Sequence, residues 1–461
     1  TKELFGKEYQ VSSIKYQGNK KSTLNTKYQI LNTEVVALLS SFFLATSYWH
    51  INFSRIGFRA IAVPFFSAFA IYFLLKGLRT GKISSLVFAG ISTGLGLQTY
   101  IAFRFMPFVL AIPILGYLWI WFKNKEPQNK HCTPCALLLF IFVTFVVALP
   151  IGWYFLENPQ DFLGRSGQVS IFSAGSPLTE FIKSNIATLG MFFSNGDCNW
   201  RHNLACQPQL HPIAAVLFVL GFLYLLRNLF KNRILKIENL TLLVWFIFMT
   251  LPATLTREGL PHALRAIGMI PPVMILAGLG GWWLINTIVA WFENQKTKWL
   301  AYANQLSRIK RELTIFFILL LLLIPLATYK NYFLIWANNP NTYFAFATDI
   351  LHMGQYLKGL PQETKKYVMA NLSGVEVRGI TMSAQTVMFV TDTFREEKRT
   401  EKNIYYLTPE NWMDKSAVAE GEKTIVVFLN GEDMELINKI RERFPQFKVS
   451  APSDFVILKN Y

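Results

Sequence analysis

The feature that most constrains the fold is a series of nine apolar segments in the first 330 residues. They lie at residues 30–47, 57–75, 83–99, 105–122, 134–155, 212–226, 239–253, 266–291 and 313–330. Apolar runs of about 18 residues or more match the thickness of a bilayer's hydrocarbon core, whereas a soluble protein of this length shows shorter amphipathic periods. The sequence therefore predicts an α-helical polytopic membrane protein with about nine transmembrane helices.

The distribution of Lys and Arg predicts the orientation of these helices. Alternate loops fall into two sets, one with 21 Lys and Arg and the other with nine. By the positive-inside rule the richer set is cytoplasmic, which places the loop at 156–211 and the C-terminal region outside. The net charge of +17 comes from the first 339 residues, which hold 30 Lys and Arg against 12 Asp and Glu. The charge therefore reflects orientation in a cell inner (plasma) membrane, and nucleic acid is not a predicted partner.

Three regions follow from this pattern. Residues 1–29 are predicted as a cytoplasmic basic loop, residues 30–339 as the transmembrane domain, and residues 340–461 as an extracytoplasmic α/β domain. In the last region, helices are predicted over 344–357 and 434–444, and strands over 367–370, 404–407, 424–429 and 455–458. In the outer loop, apolar residues at helical spacing between 178 and 193 predict a helix at the membrane interface. The chain begins in polar sequence without an initiator Met, which suggests a fragment that starts inside a loop.

The loop at residues 196–211, GDCNWRHNLACQPQLH, carries the densest group of polar side chains beside the apolar segments. A carboxylate can deprotonate an acceptor hydroxyl, and Arg binds phosphate in bidentate fashion. The candidate catalytic residue is Asp197, which could instead form a turn with Asn199. The candidate substrate-binding residues here are Trp200, Arg201, His202 and Asn203. Trp200 could equally lie in an aromatic belt, and His202 could cap a helix end.

Three further segments place His, Arg and Tyr on the predicted outer side. They supply the remaining candidate substrate-binding residues: His50, Arg55, Tyr100, Arg104, His262 and Arg265. Seven of the nine basic residues on this side are Arg, against five of the 21 on the cytoplasmic side. Orientation alone needs only Lys, so the excess of Arg favours phosphate binding, although interfacial snorkelling is an alternative.

The four cysteines form two pairs in the sequence. Cys132 and Cys135 make a single C-x-x-C, which offers too few ligands for structural zinc and favours two thiols at a helix start. Cys198 and Cys206 form a disulfide if their loop faces an oxidising compartment, and otherwise stay as thiols. Metal ligation by Asp197, His202 and His211 matches no standard signature, so no metal site and no certain cofactor are predicted.

Several motifs carry a resemblance to a known family. SYWHINFSRIGFRA, GLQTYIAFR, GDCNWRHN and LTREGLPHALRAIGMIPP occur in this order, and GITMSAQTVMFVTDT lies in the C-terminal region. They resemble bacterial members of the dolichyl-phosphate-mannose protein mannosyltransferase superfamily, which are polyprenyl-phosphate-sugar-dependent glycosyltransferases of the GT-C fold. The resemblance implies an inverting transfer from a lipid-phosphate donor. It also implies a catalytic Asp in an outer loop after the first helix, which has no counterpart in this chain.

The leading hypothesis is a membrane glycosyltransferase that moves a sugar from a polyprenyl-phosphate donor to a protein, lipid or glycan acceptor. Either the catalytic base lies in a segment that precedes this fragment, which the resemblance favours and which would leave the fragment inactive by itself, or Asp197 or Glu258 serves as the base. The alternative is a transporter or flippase of a lipid-linked saccharide. Transporters more often carry ionisable residues in the middle of their spans, and these segments have almost none.

Overall fold

The fold was obtained as a computed structural model. It describes residues 22–123, 132–162, 170–173, 175–231, 237–257, 259–296, 303–373, 376–377, 379–415 and 422–461. The chain divides into two compact units, Thr1–Ala337 and Asn338–Tyr461. The division falls close to the predicted domain boundary at residue 340.

The first unit is helical, and it has a helix at each of the nine predicted apolar segments. These nine are α1 (Ser22–Thr46), α3 (Ala62–Thr80), α4 (Ile83–Leu97), α5 (Met106–Lys123), α6 (Thr133–Glu157), α8 (Pro212–Lys231), α9 (Ile237–Thr254), α10 (Ile270–Lys296) and α11 (Ala303–Tyr329). Two shorter helices lie between them, α2 (Tyr48–Ile56) and α7 (Pro177–Gly190). A π-helical turn, Lys330–Trp336, continues α11, and 3₁₀ turns cover Arg59–Ile61, Ile101–Phe105, Ile171–Ser173 and Ile267–Met269.

Among the described residues, seven helical segments are long and apolar enough to cross a membrane. The apolar parts of the other two predicted spans, Thr33–Thr46 and Ile83–Leu97, are shorter. Large apolar side chains are exposed along α6, including Leu138, Phe142 and Phe145. Exposure of this kind is costly in water and favourable in lipid. The predicted helical polytopic membrane fold is confirmed by the seven described segments that are long and apolar enough to span a membrane.

Glycines allow the central helices to approach closely. A Cβ on Gly221 of α8 would collide with the carbonyl oxygen of Leu276 on α10, and a Cβ on Gly280 would collide with that of Leu217. Small residues at such contacts let the backbones of membrane helices pack against each other. The α8–α10 pair therefore forms a tight centre for the unit.

Contacts between helix ends agree with the predicted alternation of loops. On one side, Thr328 near the end of α11 donates to the carbonyl of Thr46 at the end of α1 over 2.8 Å. On the other side, Arg79 at the end of α3 pairs with Glu238 at the start of α9 at 2.5 Å. The loop at 196–211 joins the first side, which we call the loop side.

Helix α7 confirms the helix predicted within the loop at 156–211. Leu178, Ile182, Ile186 and Leu189 are exposed at helical spacing, so they form an apolar stripe on its surface. Ser184, on the other face, is buried and donates to the carbonyl of Thr256 over 3.0 Å. This arrangement suits a helix that lies along a membrane surface.

The second unit is built on a five-stranded sheet. Its strands are β1 (Lys365–Met369), β4 (Ile404–Leu407), β5 (Thr424–Phe428), β6 (Lys448–Ser450) and β7 (Ile457–Lys459), while β2 (Glu376–Val377) and β3 (Ile380–Thr381) form a separate hairpin. The order is β4-β1-β5-β7-β6. Strands β4, β1 and β5 are parallel, and β7 runs antiparallel to both of its neighbours, β5 and β6. The helices are α12 (Pro340–Ala345), α13 (Thr348–Gly359), α14 (Gln385–Thr391), α15 (Glu396–Lys402), α16 (Trp412–Lys415) and α17 (Met434–Arg443).

The alternation of side chains along each strand fills two cores. Val368 faces a cluster that includes Ile350 and Val387 from α13 and α14. Its neighbour Met369 faces a second cluster, which includes Ile437 from α17. Successive residues of a strand point to opposite faces, so the sheet is covered on both sides. The predicted strands and the helix at 434–444 are present, and β6 is a strand that the sequence pattern missed.

One helix prediction in this unit was wrong. The segment predicted as one helix over 344–357 is divided between α12 and α13, because Ala347 adopts φ 54° between them. A left-handed residue interrupts the helical hydrogen bonding.

A candidate acid–base site on the loop side

The loop at 196–211 is closed on itself by backbone and covalent links. The Gly196 N–H donates to the carbonyl of Cys206, and the Cys206 N–H donates back to that of Asp197. A Cβ on Gly196 would collide with the carbonyl oxygen of Gln207, so this close approach requires glycine. Cys198 and Cys206 are joined by a disulfide, which decides the alternative that the sequence left open.

The second cysteine pair differs from its prediction. Cys132 and Cys135 are joined by a disulfide instead of standing as two thiols. The Cα atoms lie 5.2 Å apart because the first turn of α6 brings them together, and this separation is within the range of disulfides. The Cys132 sulfur also accepts the Cys135 N–H over 3.2 Å, so it caps the helix.

Asp197 is the centre of the site. Its Oδ1 accepts the Asn199 N–H over 2.9 Å, which is the turn predicted as the structural alternative. Its Oδ2 has two further partners, His202 Nδ1 at 2.9 Å and the Ala263 N–H at 2.8 Å. The residue is 4% exposed. Both carboxylate oxygens are therefore engaged, which suits Asp197 to orient a histidine better than to accept a proton from a substrate.

Two histidines complete an Asp–His–His cluster with Asp197. His202 is buried, and its ring lies 4.9 Å from that of His262 and 5.7 Å from that of Phe53. His262 Nδ1 lies 3.8 Å from Asp197 Oδ2. His211, which the sequence analysis considered as a metal ligand with Asp197 and His202, is not in this group, and His262 takes the third position.

Burial and charge set the protonation of the cluster. Burial alone would raise the pKa of Asp197, but the hydrogen bond from His202 and its electrostatic attraction hold that pKa below its usual value. Burial, followed by repulsion from the Arg265 guanidinium, lowers the pKa of His262 to about 3. At neutral pH the cluster thus combines an ionised carboxylate with a neutral His262.

The cluster could in principle hold a metal ion. One ligand atom from each of Asp197, His202 and His262 lies within 4.8 Å of the others, and carboxylate with imidazole is a donor set that zinc accepts. In this arrangement His202 Nδ1 and Asp197 Oδ2 are joined directly by a hydrogen bond. The hydrogen bonds that His202 and the Ala263 N–H donate to Asp197 account for the proximity of these residues without a metal ion.

Helix α2 holds the loop from a third part of the chain. The Asn52 carboxamide donates to the carbonyl of Arg201 over 3.1 Å, and the Trp49 indole donates to the carbonyl of Ala263 over 3.2 Å. Both side chains are fully buried. Trp49 therefore serves to hold the segment with Ala263 and has no surface exposed to lipid or to a sugar.

Two arginines border the cluster. Arg201 is exposed, next to His202 in the chain. Arg265 is half-buried and donates to the Thr256 hydroxyl over 2.8 Å.

Trp200 is also half-buried, and its carbonyl accepts the Trp336 indole N–H over 2.7 Å. Asn203 is buried and donates to the carbonyls of Asp197 and Gln207 over 3.1 and 2.6 Å.

The other predicted binding residues make contacts of their own. Arg104 donates to the carbonyl of Phe162 over 2.8 Å and lies over its ring at 4.1 Å. Arg55 is exposed and lies over the rings of Tyr332 and Phe333 at 5.7 and 5.2 Å. These are cation–π contacts that anchor the guanidinium groups at the helix ends.

His50 and Tyr100 are half-buried. His50 lies in the first turn of α2, where burial lowers its pKa. Tyr100 packs against the apolar core of the unit. Glu258, the second candidate base, lies outside the described residues.

Comparison with known proteins adds little to this geometry. No family model and no curated protein matches the chain. Among solved structures, the chain is similar to ArnT from Cupriavidus metallidurans bound to undecaprenyl phosphate. The identity is 14%, the TM-score is 0.38, and the match covers 94% of this chain and 84% of that one. A TM-score this low carries no weight for the fold or the function.

The sequence missed several groups that build the site. Asn52 and the Ala263 N–H each bind the loop across more than 60 residues of chain. A backbone donor leaves no mark in a sequence, so nothing could have pointed to Ala263. The LPHALR segment, which contains His262, indicated that this part of the chain lies near the site. It did not indicate the hydrogen bond from the Ala263 N–H to Asp197.

Proposed function

We propose that the protein is an integral-membrane glycosyltransferase that uses a polyprenyl-phosphate sugar as donor. The observation that supports this most is the buried Asp197–His202 pair at the ends of membrane helices. An ionised carboxylate that accepts a hydrogen bond from Nδ1 of a histidine fixes its tautomer and leaves Nε2 as the nitrogen that can take a proton. Such a pair at the level of a lipid headgroup suits acid–base chemistry on a lipid-linked substrate.

The proposed reaction is a single displacement at the anomeric carbon. An acceptor hydroxyl forms the new C–O bond while the bond from the anomeric carbon to the phosphate oxygen breaks, and the configuration inverts. The polyprenyl phosphate leaves with the bonding electrons. His202 takes the proton of the acceptor hydroxyl, and Asp197 orients His202 and stabilises its charged form.

Arg201 and Arg265 are proposed to bind the phosphate. Arg201 follows Asp197 in the loop at 196–211, and Arg265 lies in the segment whose Ala263 N–H binds Asp197. The guanidinium group of Arg forms bidentate hydrogen bonds to phosphate. Their positive charge also favours departure of the anionic leaving group.

A mostly apolar cavity in the membrane unit offers room for the hydrocarbon chain of a lipid. About 170 Å³ in volume, it is lined mostly by apolar residues of α1, α3, α9 and α10, including Leu44, Ile71 and Trp245. Met274 lines this cavity and also a polar cavity under the loop. A lipid with a polar headgroup matches this pairing of an apolar space with a polar one.

The test is equilibrium binding of a labelled polyprenyl-phosphate sugar to the purified protein in nanodiscs. Arg201→Ala and Arg265→Ala are each expected to weaken binding about tenfold or more, because each removes a charge-assisted hydrogen bond to phosphate. The matched control is Arg308→Ala, which removes an exposed Arg that pairs with Glu312 on α11. Unchanged affinity in both test variants would remove the role assigned to the arginines.

A further inference from the structure

A polar cavity lies beneath the loop at 196–211, next to the proposed acid–base pair. Its volume is about 190 Å³. Residues of α1, α2, α8, α10, α11 and the loop line it. Asn203 connects the two sites, because it lines the cavity and also donates to the carbonyl of Asp197.

Two of the residues that line the cavity carry buried polar atoms that lack partners. Among the described residues, nine buried side-chain nitrogen and oxygen atoms have no hydrogen-bond partner. Three of the nine belong to two cavity residues: the Tyr48 hydroxyl and both polar atoms of the Gln209 carboxamide. Gln209 is 3% exposed. Leaving a buried polar group unpaired costs about 1–3 kcal/mol, so such groups ordinarily meet a partner that the protein itself does not supply.

The chemistry of the lining restricts what that partner can be. The lining contains hydroxyl and carboxamide side chains, including Thr46, Gln207 and Asn331, and among the residues that the structure describes it includes no Asp, Glu, Lys or Arg. Its one histidine, His211, has a pKa lowered by burial and is neutral at neutral pH. An uncharged lining gives a phosphate no counter-charge, whereas hydroxyl and carboxamide groups can both donate to and accept from the hydroxyl groups of a sugar.

The size of the cavity fits one ring. An apolar cavity of about 150 Å³ holds a benzene molecule, so about 190 Å³ has room for a six-membered ring with small substituents. Apolar side chains such as Phe43, Leu210 and Ile324 also line the cavity and can face the C–H surface of such a ring.

We propose that this cavity binds the uncharged sugar ring of a substrate, with the Gln209 carboxamide and the Tyr48 hydroxyl as its specific hydrogen-bonding groups. The inference rests on the proposed function for the identity of the substrate, and the ring can belong to the donor or to a sugar acceptor. The phosphate of the donor would then lie outside the cavity, by the arginines.

The test compares three probes on the full protein: undecaprenyl phosphate, the same lipid phosphate carrying a hexose, and a panel of free methyl hexopyranosides. The variants are Gln209→Leu and Tyr48→Phe. The matched control is Thr188→Val, which removes another buried, unpaired hydroxyl on α7, outside the cavity lining. Binding is measured by titration calorimetry, and heat stability is recorded for each variant.

Gln209→Leu and Tyr48→Phe are expected to weaken binding of a sugar-bearing probe about tenfold and to leave undecaprenyl phosphate unaffected. Both variants should be at least as heat-stable as the unaltered protein, since each removes an unpaired buried polar atom. Stability and affinity thus move in opposite directions, which a folding defect cannot imitate. Thr188→Val should leave the binding of every probe unchanged.

The outcomes separate the two claims. If only the lipid-linked hexose depends on Gln209, the ring comes from the donor; if a free glycoside does, it comes from the acceptor. Failure of undecaprenyl phosphate to bind, together with Gln209-dependent binding of a glycoside, would refute the proposed donor and leave the sugar cavity standing. The inference would be overturned if no sugar probe binds, or if every sugar probe binds both variants as tightly as the unaltered protein. Either result would show that the cavity holds only water.

Discussion

The Asp197 carboxylate shows how little of a site's chemistry depends on a single side chain. Its two oxygens satisfy three donors from two segments, and the histidine that it orients is enclosed by Phe53, Phe58 and His262. A freely accessible carboxylate would be a base by itself. One that is fully hydrogen-bonded and buried is better suited to control its partner, and the role of base passes to His202.

The lowered pKa of His262 predicts a specific loss of stability in acid. The folded state holds His262 neutral down to a pH of about 3, whereas the unfolded chain takes up a proton near pH 6.5. Below pH 6.5 the unfolded state therefore binds more protons, and stability falls as the pH drops toward 3, by at most about 1.4 kcal/mol per pH unit.

The measurement is the thermal midpoint of the protein in detergent between pH 7 and 4, for the unaltered chain and for His262→Gln. The variant should show a shallower decline, because its side chain does not titrate. Thr188→Val, at a buried position that does not titrate, is the control and should keep the slope of the unaltered protein. Equal slopes for the unaltered protein and His262→Gln would contradict the protonation state assigned to the cluster.

The helices were the part of the molecule that the sequence predicted best. Apolar length determines where a membrane helix can form, so all nine segments, from the one that became α1 to the one that became α11, were located. Boundaries and interruptions were predicted less well. The break at Ala347 depends on local backbone geometry that hydropathy does not record.

Packing of α8 against α10 leads to a prediction at this scale. Gly221→Ala is expected to destabilise the membrane unit strongly, because a methyl group there would overlap the carbonyl of Leu276 and force the helices apart. Gly152→Ala on α6 is the matched control, since a Cβ at that position meets nothing within 4 Å. Yield and thermal midpoint of the detergent-solubilised protein measure the effect. A Gly221→Ala protein as stable as the Gly152→Ala protein would show that the two helices are not closely packed.

At the scale of the whole molecule, the sequence predicted the neighbourhood of the candidate site but not its connections. The distribution of polar and charged residues predicted that the loop at 196–211 and the segment with His262 lie on the same side of the membrane. The pairing of Asp197 with the Ala263 N–H, the support from Asn52 and the unpaired Gln209 depend on three-dimensional contacts between distant segments. The residues that line the polar cavity come from distant parts of the chain, so no sequence pattern could have predicted it.

The central claim is covalent transfer, and a direct measurement follows the label of a polyprenyl-phosphate sugar in vesicles that contain the full protein. The account predicts that the sugar leaves the lipid phosphate and appears on an acceptor with inverted anomeric configuration. His202→Asn should slow transfer about 100-fold or more without weakening donor binding, since general base catalysis contributes about 10²–10⁴ in rate. If the label crosses the membrane while it stays on polyprenyl phosphate, the protein is a flippase, and the account is contradicted.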